Sequence, residues 1–118
     1  MIKTILLIFI IGCVSSCSSD HNKEVIEQNV TLSNLENYTY DLGSFGDEEG
    51  AGIKTQARHF EISKLERDFD NGQIIYKYKP TSEYIGTDYI EITTERGSDG
   101  ASSNTEITTV KITFNITQ

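Results

Sequence analysis

Thr109-Val110-Lys111-Ile112-Thr113-Phe114-Asn115-Ile116-Thr117 alternates polar and apolar side chains without a break. Successive side chains of an extended strand leave opposite faces of the sheet, so a strict period of two predicts a strand with one face buried and one wet. Val110, Ile112, Phe114 and Ile116 are therefore expected to face a core, and Thr109, Lys111, Thr113, Asn115 and Thr117 to face water.

The same rhythm recurs upstream. Ile74, Tyr76 and Tyr78 alternate with Ile75, Lys77 and Lys79. Ile90 and Ile92 alternate with Tyr89, Glu91 and Thr93, and Phe60 and Ile62 with His59, Glu61 and Ser63. Tyr38, Tyr40 and Leu42 alternate with Thr39 and Asp41, and Val30 and Leu32 are expected to open the sheet. Val, Ile, Thr, Tyr and Phe are the residues that fit a pleated surface. Between these runs lie Asp70-Asn71-Gly72, a hairpin signal because Asn-Gly adopts positive φ at little cost, and two glycine-containing polar loops, 46–52 and 97–104. Short alternating strands at this spacing predict an all-β, two-sheet antiparallel sandwich. Residues 53–67 are ambiguous: Ile53, Ala57, Phe60 and Lys64 also have helical spacing, which leaves a short helix open there.

The chain begins differently. Lys3 is followed by Ile5-Leu6-Leu7-Ile8-Phe9-Ile10-Ile11, an apolar run far short of the ~20 residues a bilayer-spanning helix needs. A basic residue, a short apolar stretch and then small residues form the pattern of a secretory signal peptide. Its end, Val14-Ser15-Ser16-Cys17, resembles the lipobox of bacterial lipoproteins: an aliphatic residue, two small residues and the cysteine that is acylated. The resemblance implies cleavage after Ser16 and a lipid on Cys17. Ile10-Ile11-Gly12-Cys13 fits the box too, but Cys17 gives the longer apolar region and is followed by the polar Ser18-Ser19-Asp20. The expected organisation is a leader over 1–16, a lipidated tether over 17–28 and a sandwich domain over 29–118. The expected address is the bacterial cell envelope, at the outer membrane, with the acyl chains holding the protein to the lipid.

Both cysteines, Cys13 and Cys17, lie in this export segment. The domain is thus expected to fold without a disulfide and to carry neither a reactive thiol nor a thiolate metal site. Removing residues 1–16 from the 118 leaves 102, enough for one core. Lys3 leaves with the leader, so 9 basic side chains stand against 18 acidic ones and the net charge goes from −8 to −9. Such a surface argues against nucleic acid as a partner.

Residues 74–116 carry a second resemblance. Tyr76-Lys77-Tyr78-Lys79-Pro80, then Tyr84-Ile85-Gly86-Thr87-Asp88-Tyr89-Ile90-Glu91-Ile92, then a polar loop and a closing strand, is similar to bacterial cadherin-like and immunoglobulin-like repeats. That similarity implies a Greek-key, immunoglobulin-like sandwich serving as a spacer, adhesive or binding module.

Candidate chemistry is sparse. Asp47, Glu48 and Glu49 share one loop and offer oxygen ligands for calcium, though without the spacing of a calcium-binding hand. Tyr84 and Tyr89 are the aromatics expected to be exposed, as a glycan-stacking surface would require. Asp88 is expected to bond local backbone amides at a corner. His21 falls in the tether and His59 on the outer face of a strand, neither with an orienting carboxylate. With no Gly-x-Ser-x-Gly elbow and no phosphate-cradling glycine loop, the chain is expected not to be an enzyme. The expectation is a non-catalytic, membrane-anchored binding or accessory module with a protein partner and no cofactor beyond the lipid. A carbohydrate- or calcium-binding module is the alternative. Loops 46–52 and 93–105 are expected to carry the interactions.

Overall fold

A computed structural model describes residues 22–97 and 105–118. Its described residues form seven strands and no helix: β1 (Asn22–Ser33), β2 (Tyr38–Ser44), β3 (Gly50–Thr55), β4 (Phe60–Arg67), β5 (Gln73–Pro80), β6 (Gly86–Arg96) and β7 (Glu106–Thr117). They build two sheets, one in the order β1-β7-β6-β3 and the other β2-β5-β4. All pairings are antiparallel except that of β1 with β7.

The inner faces are those the alternation predicts. Val110, Ile112, Phe114 and Ile116 from β7, Ile90 and Ile92 from β6, and Ile74, Tyr76 and Tyr78 from β5 are all buried. The sheets meet through aromatic rings: Tyr78 of β5 stacks on Phe114 of β7 at a centroid distance of 3.9 Å, and Tyr38 of β2 meets the same ring edge-on at 5.4 Å. Two sheets packed on a shared apolar layer make a β-sandwich.

Hairpin chemistry also falls where the sequence puts it. Between β4 and β5, Gly72 N donates to Asp68 O at 2.7 Å and Asp68 N to Gln73 O at 2.8 Å. Gly72 has φ +75°, and a Cβ there would lie 2.2 Å from the carbonyl oxygen of Phe45, so this turn requires glycine twice over.

Four expectations are corrected. The helix left open over 53–67 is instead β3, a short connection and β4. Within β4 a bulge between Phe60 and Ile62 advances the pleat by one residue, so Ile62 turns outward and Ser63 turns in. The tether expected over 17–28 gives way to strand at Asn22: β1 pairs with β7 in unbroken register from Asn22↔Glu106 to Ser33↔Thr117. Finally, the loops contract. Residues 50–52 belong to β3, and β6 and β7 stay paired out to Arg96↔Glu106, so residues 93–96 are strand. Residues 98–104 lie outside the described residues, as do Cys13, Ser16, Cys17 and His21.

Candidate functional site

At the start of β6, the Asp88 side chain is buried at 5% exposure. A buried carboxylate is costly unless its oxygens are filled by donors. Asp88 Oδ1 accepts from the backbone N–H groups of Arg58 and Tyr89, both at 2.9 Å. Oδ2 accepts from His59 N at 2.9 Å and from the Tyr78 hydroxyl at 2.7 Å. Asp88 is thus the corner residue the sequence suggests, but two of its amides come from the β3–β4 connection, 29 and 30 residues away. It ties that connection to β6 and, through Tyr78, to the opposite sheet. Burial pushes the carboxyl up, yet the donors from Arg58, Tyr78, His59 and Tyr89 together hold it below the ordinary aspartate value. The Tyr78 hydroxyl is pushed far up, by burial first and then by its bond to this carboxylate.

This anchorage fixes a cleft of about 450 Å³ beside it, lined by Thr55, Gln56, Arg58, His59, Tyr84, Thr87, Asp88, Tyr89 and Thr113. The His59 ring stacks flat on Tyr84, centroids 4.0 Å apart and planes 7° off parallel. The Tyr84 hydroxyl donates to Thr87 O at 2.7 Å and closes the turn before β6. Gly86 permits that closure: it has φ +146°, and a Cβ would stand 2.8 Å from the Tyr84 hydroxyl. Across the cleft, the Tyr89 hydroxyl donates to Glu91, whose carboxylate also receives Thr55 Oγ1 at 3.4 Å and faces Lys111 at 3.8 Å and Lys54 at 4.0 Å. Burial, then the bond and charge of Glu91, push the Tyr89 hydroxyl up to about 12.

Tyr84 and Tyr89 therefore come together in one cleft, each half-buried rather than openly exposed. His59 lies in the β3–β4 connection, not on a strand's outer face, and its partner is an aromatic ring. Thr55 and Arg58 also line the cleft, and nothing in their local sequence singles them out. The one local signal of the site is Gly86-Thr87-Asp88.

The acidic loop resolves otherwise. Asp47 and Glu48 are exposed, whereas Glu49 Oε1 accepts from Gly46 N and Oε2 from Gly97 N, both at 2.8 Å. Those two amides lower its pKa, with Arg96 and Arg67 adding to the effect. Arg67 donates to the carbonyls of Phe45, Gly46 and Glu49, and Arg96 to those of Ser44 and Leu42 while lying 3.7 Å over the Phe45 ring. Glu49 is a brace of the loop, and the three acids do not converge. Among the described residues no group of three or more His, Cys, Asp or Glu side chains is arranged to hold a metal ion.

No family model and no curated protein matches the chain. Among solved structures it is similar to an endo-fucoidan hydrolase of glycoside hydrolase family 107, with 15% identity and a TM-score of 0.47 over 79% of this chain and 12% of that one. It is also similar to the cysteine protease inhibitor EhICP2 from Entamoeba histolytica, with 10% identity and a TM-score of 0.47 over 83% of this chain and 100% of the inhibitor. The chain thus spans only a small fraction of the hydrolase, and neither likeness carries a functional argument.

Proposed function

We propose that the protein is a lipid-anchored, non-catalytic binding module of the bacterial cell envelope, with an immunoglobulin-like Greek-key topology and its ligand surface at the cleft beside Asp88. The observation that carries this reading is how the one buried carboxylate among the described residues is employed. All four of its donors are framework groups, three of them backbone amides. A catalytic acid or base must keep an oxygen available to the reacting atom. Asp88 instead stiffens the cleft, leaving the Arg58 guanidinium and the Thr87 hydroxyl to meet a partner, while the Gln56 amide is held by Ala57 and Ser63.

The strand order supports the topology. The set β3-β6-β7 opposite β2-β5-β4 follows the CFG and BED sheets of immunoglobulin-like domains, with β1 added beside the last strand. The lipid anchor rests on the Val14-Ser15-Ser16-Cys17 box. Its test is direct: mass analysis of the exported chain, with Cys17→Ser and Cys13→Ser variants. An acylated Cys17 as the first residue, lost in Cys17→Ser and retained in Cys13→Ser, is the expected result; an intact leader defeats the reading. For the cleft, capture of an envelope protein by the anchored chain is expected to fall at least tenfold in Arg58→Glu, with strand content unchanged.

A second reading, a carbohydrate-binding module, is favoured by one observation, the presence of Tyr84, Tyr89 and His59 in the same cleft. Glycan-array binding that is lost in Tyr89→Ala would select it. The calcium reading draws no support from the loop, where Glu49 is committed to backbone amides.

A further inference from the structure

The register of the strands fixes which end of the sandwich each loop occupies. β1 enters at Asn22, level with Glu106 and Arg96. The same end holds loop 45–49, through Arg96 to Ser44 O at 2.5 Å and Gly97 N to Glu49 at 2.8 Å, and turn 68–72, through Phe45 N to Gly72 O at 2.9 Å. Call this the near pole. Phe69, 88% exposed, belongs to it, together with Asp47, Asp68 and Asp70.

The cleft lies in the other half. Thr55 pairs with Glu91, which is level with Lys111 and Glu27; Tyr89 is level with Thr113 and Asn29; Thr87 is level with Asn115 and Thr31. At about 3.3 Å per residue the cleft begins roughly 16–20 Å along β1, and the turns after Ser33 and around Ser82 lie roughly 36 Å along it.

Covalent geometry limits the other side. Cys17 precedes the first described strand residue, Asn22, by five positions. Five residues span at most about 18 Å even when fully stretched. A lipid on Cys17 therefore keeps the near pole within one short tether of the headgroups. The acidic body, 18 acidic against 9 basic side chains after cleavage, is repelled by an anionic leaflet and resists lying flat on it.

We infer, on the reading that Cys17 carries the lipid, that the domain stands on the bilayer by its near pole and displays the cleft and the far turns to the aqueous space. The surface that faces the lipid headgroups is then the pole of turn 68–72 and loop 45–49, held near them by the short tether although Asp47, Asp68 and Asp70 make it acidic. The cleft meets a partner arriving from the solvent side, and a lipid headgroup is not its ligand. This reverses the role that the acidic loop has as an interaction loop.

Single labels test the arrangement, because with Cys17 acylated the mature chain has no other thiol. Asp70→Cys marks the near pole and Ser82→Cys the far one; both positions are exposed turn sites. Each processed, lipidated chain is labelled with a donor dye and reconstituted into phosphatidylcholine vesicles containing a headgroup-linked acceptor. Energy transfer from position 70 is expected to exceed that from position 82 at least twofold. Equal or reversed transfer, in protein that floats with the vesicles, overturns the orientation while leaving the anchor intact. Protein that fails to float, or whose Cys17 itself takes the dye, overturns the lipid reading and the orientation with it. Circular dichroism of both variants, matching the parent, establishes that the labels report on a folded domain.

Discussion

The Asp88 side chain accepts four hydrogen bonds from three parts of the chain, and its replacement should be felt accordingly. Asp88→Ala leaves three backbone N–H groups without their acceptor and the Tyr78 hydroxyl with only the His59 carbonyl, at 3.2 Å. Each orphaned buried donor costs about 1–3 kcal/mol, and water admitted to the gap recovers part of that. A loss of about 3 kcal/mol or more in urea unfolding is expected. The pH dependence has a definite sign. The carboxyl is held below its ordinary value, burial opposing and the four donors prevailing. The stabilisation it gives is thus complete above the unfolded aspartate pKa of about 4 and is lost as pH falls through the lower folded value. The half-buried Glu49 and Glu91 and the exposed Glu66 are lowered as well and slope the same way. The parent should lose stability steadily below pH 4, and Asp88→Asn should show a shallower acid limb in the same titration. An unchanged limb would mean that Asp88 is not the group being titrated. Sequence alone marks Asp88 as a turn residue, since Gly86-Thr87-Asp88 is local. It cannot supply the amides of Arg58 and His59, because a backbone N–H has no sequence signature and these lie a whole hairpin away.

At the scale of elements, legibility follows the one-faced burial of strands. β5, β6 and β7 are read correctly because each has one face against the core and one in water, and the period of two survives intact along them. β4 breaks the rule where the bulge between Phe60 and Ile62 inserts a residue, an event of backbone pairing that leaves composition untouched. Ser63 then faces inward and is satisfied by the Tyr76 hydroxyl at 2.6 Å and Gln56 Oε1 at 2.5 Å. Ser63→Ala strands the buried Tyr76 hydroxyl and should cost about 1–2 kcal/mol. Ile62→Ser, one position away and 37% exposed, should cost clearly less. Thermal melts of the pair decide the phase of the strand; the opposite order would restore the unbulged alternation. β1 is legible only in its second half, where Val30 and Leu32 open the sheet as expected. It is an edge strand whose first half, over Lys23 to Gln28, offers only Ile26 to the core while Val25 remains 57% exposed, so polar residues dominate it. Its hold is the parallel ladder to β7. Deleting residues up to Gln28 removes half of that ladder and bares β7, and the shortened chain should melt at least 5 °C lower and aggregate at its new edge. A chain beginning at Asn22 should melt like the parent.

Across the whole molecule, the two sheets share one core and the described residues contain no cysteine, so neither sheet has a brace of its own. The contact that joins them is aromatic: Tyr78 lies flat on Phe114, Tyr38 meets Phe114 at its edge, and Tyr76 is fully buried beside Tyr78. Such an arrangement should come apart in a single step, because separating the sheets exposes the same rings that hold each sheet's inner face. Alkali offers a way to see this. Burial drives the hydroxyls of Tyr76 and Tyr78 well above the usual tyrosine value, with the bond to Asp88 adding to the shift at Tyr78. A raised folded pKa means the stabilisation is complete below the unfolded pKa of about 10 and drains away as pH climbs beyond it. Ionisation of Tyr76 and Tyr78 should therefore wait for the sheets to part. Followed together on raising pH from 9 to 13, the last part of the tyrosinate absorbance near 295 nm should rise in step with loss of the strand signal in circular dichroism. If all six tyrosines ionise while the strand signal persists, the rings do not clamp the sheets together, and the sandwich has some other source of cohesion.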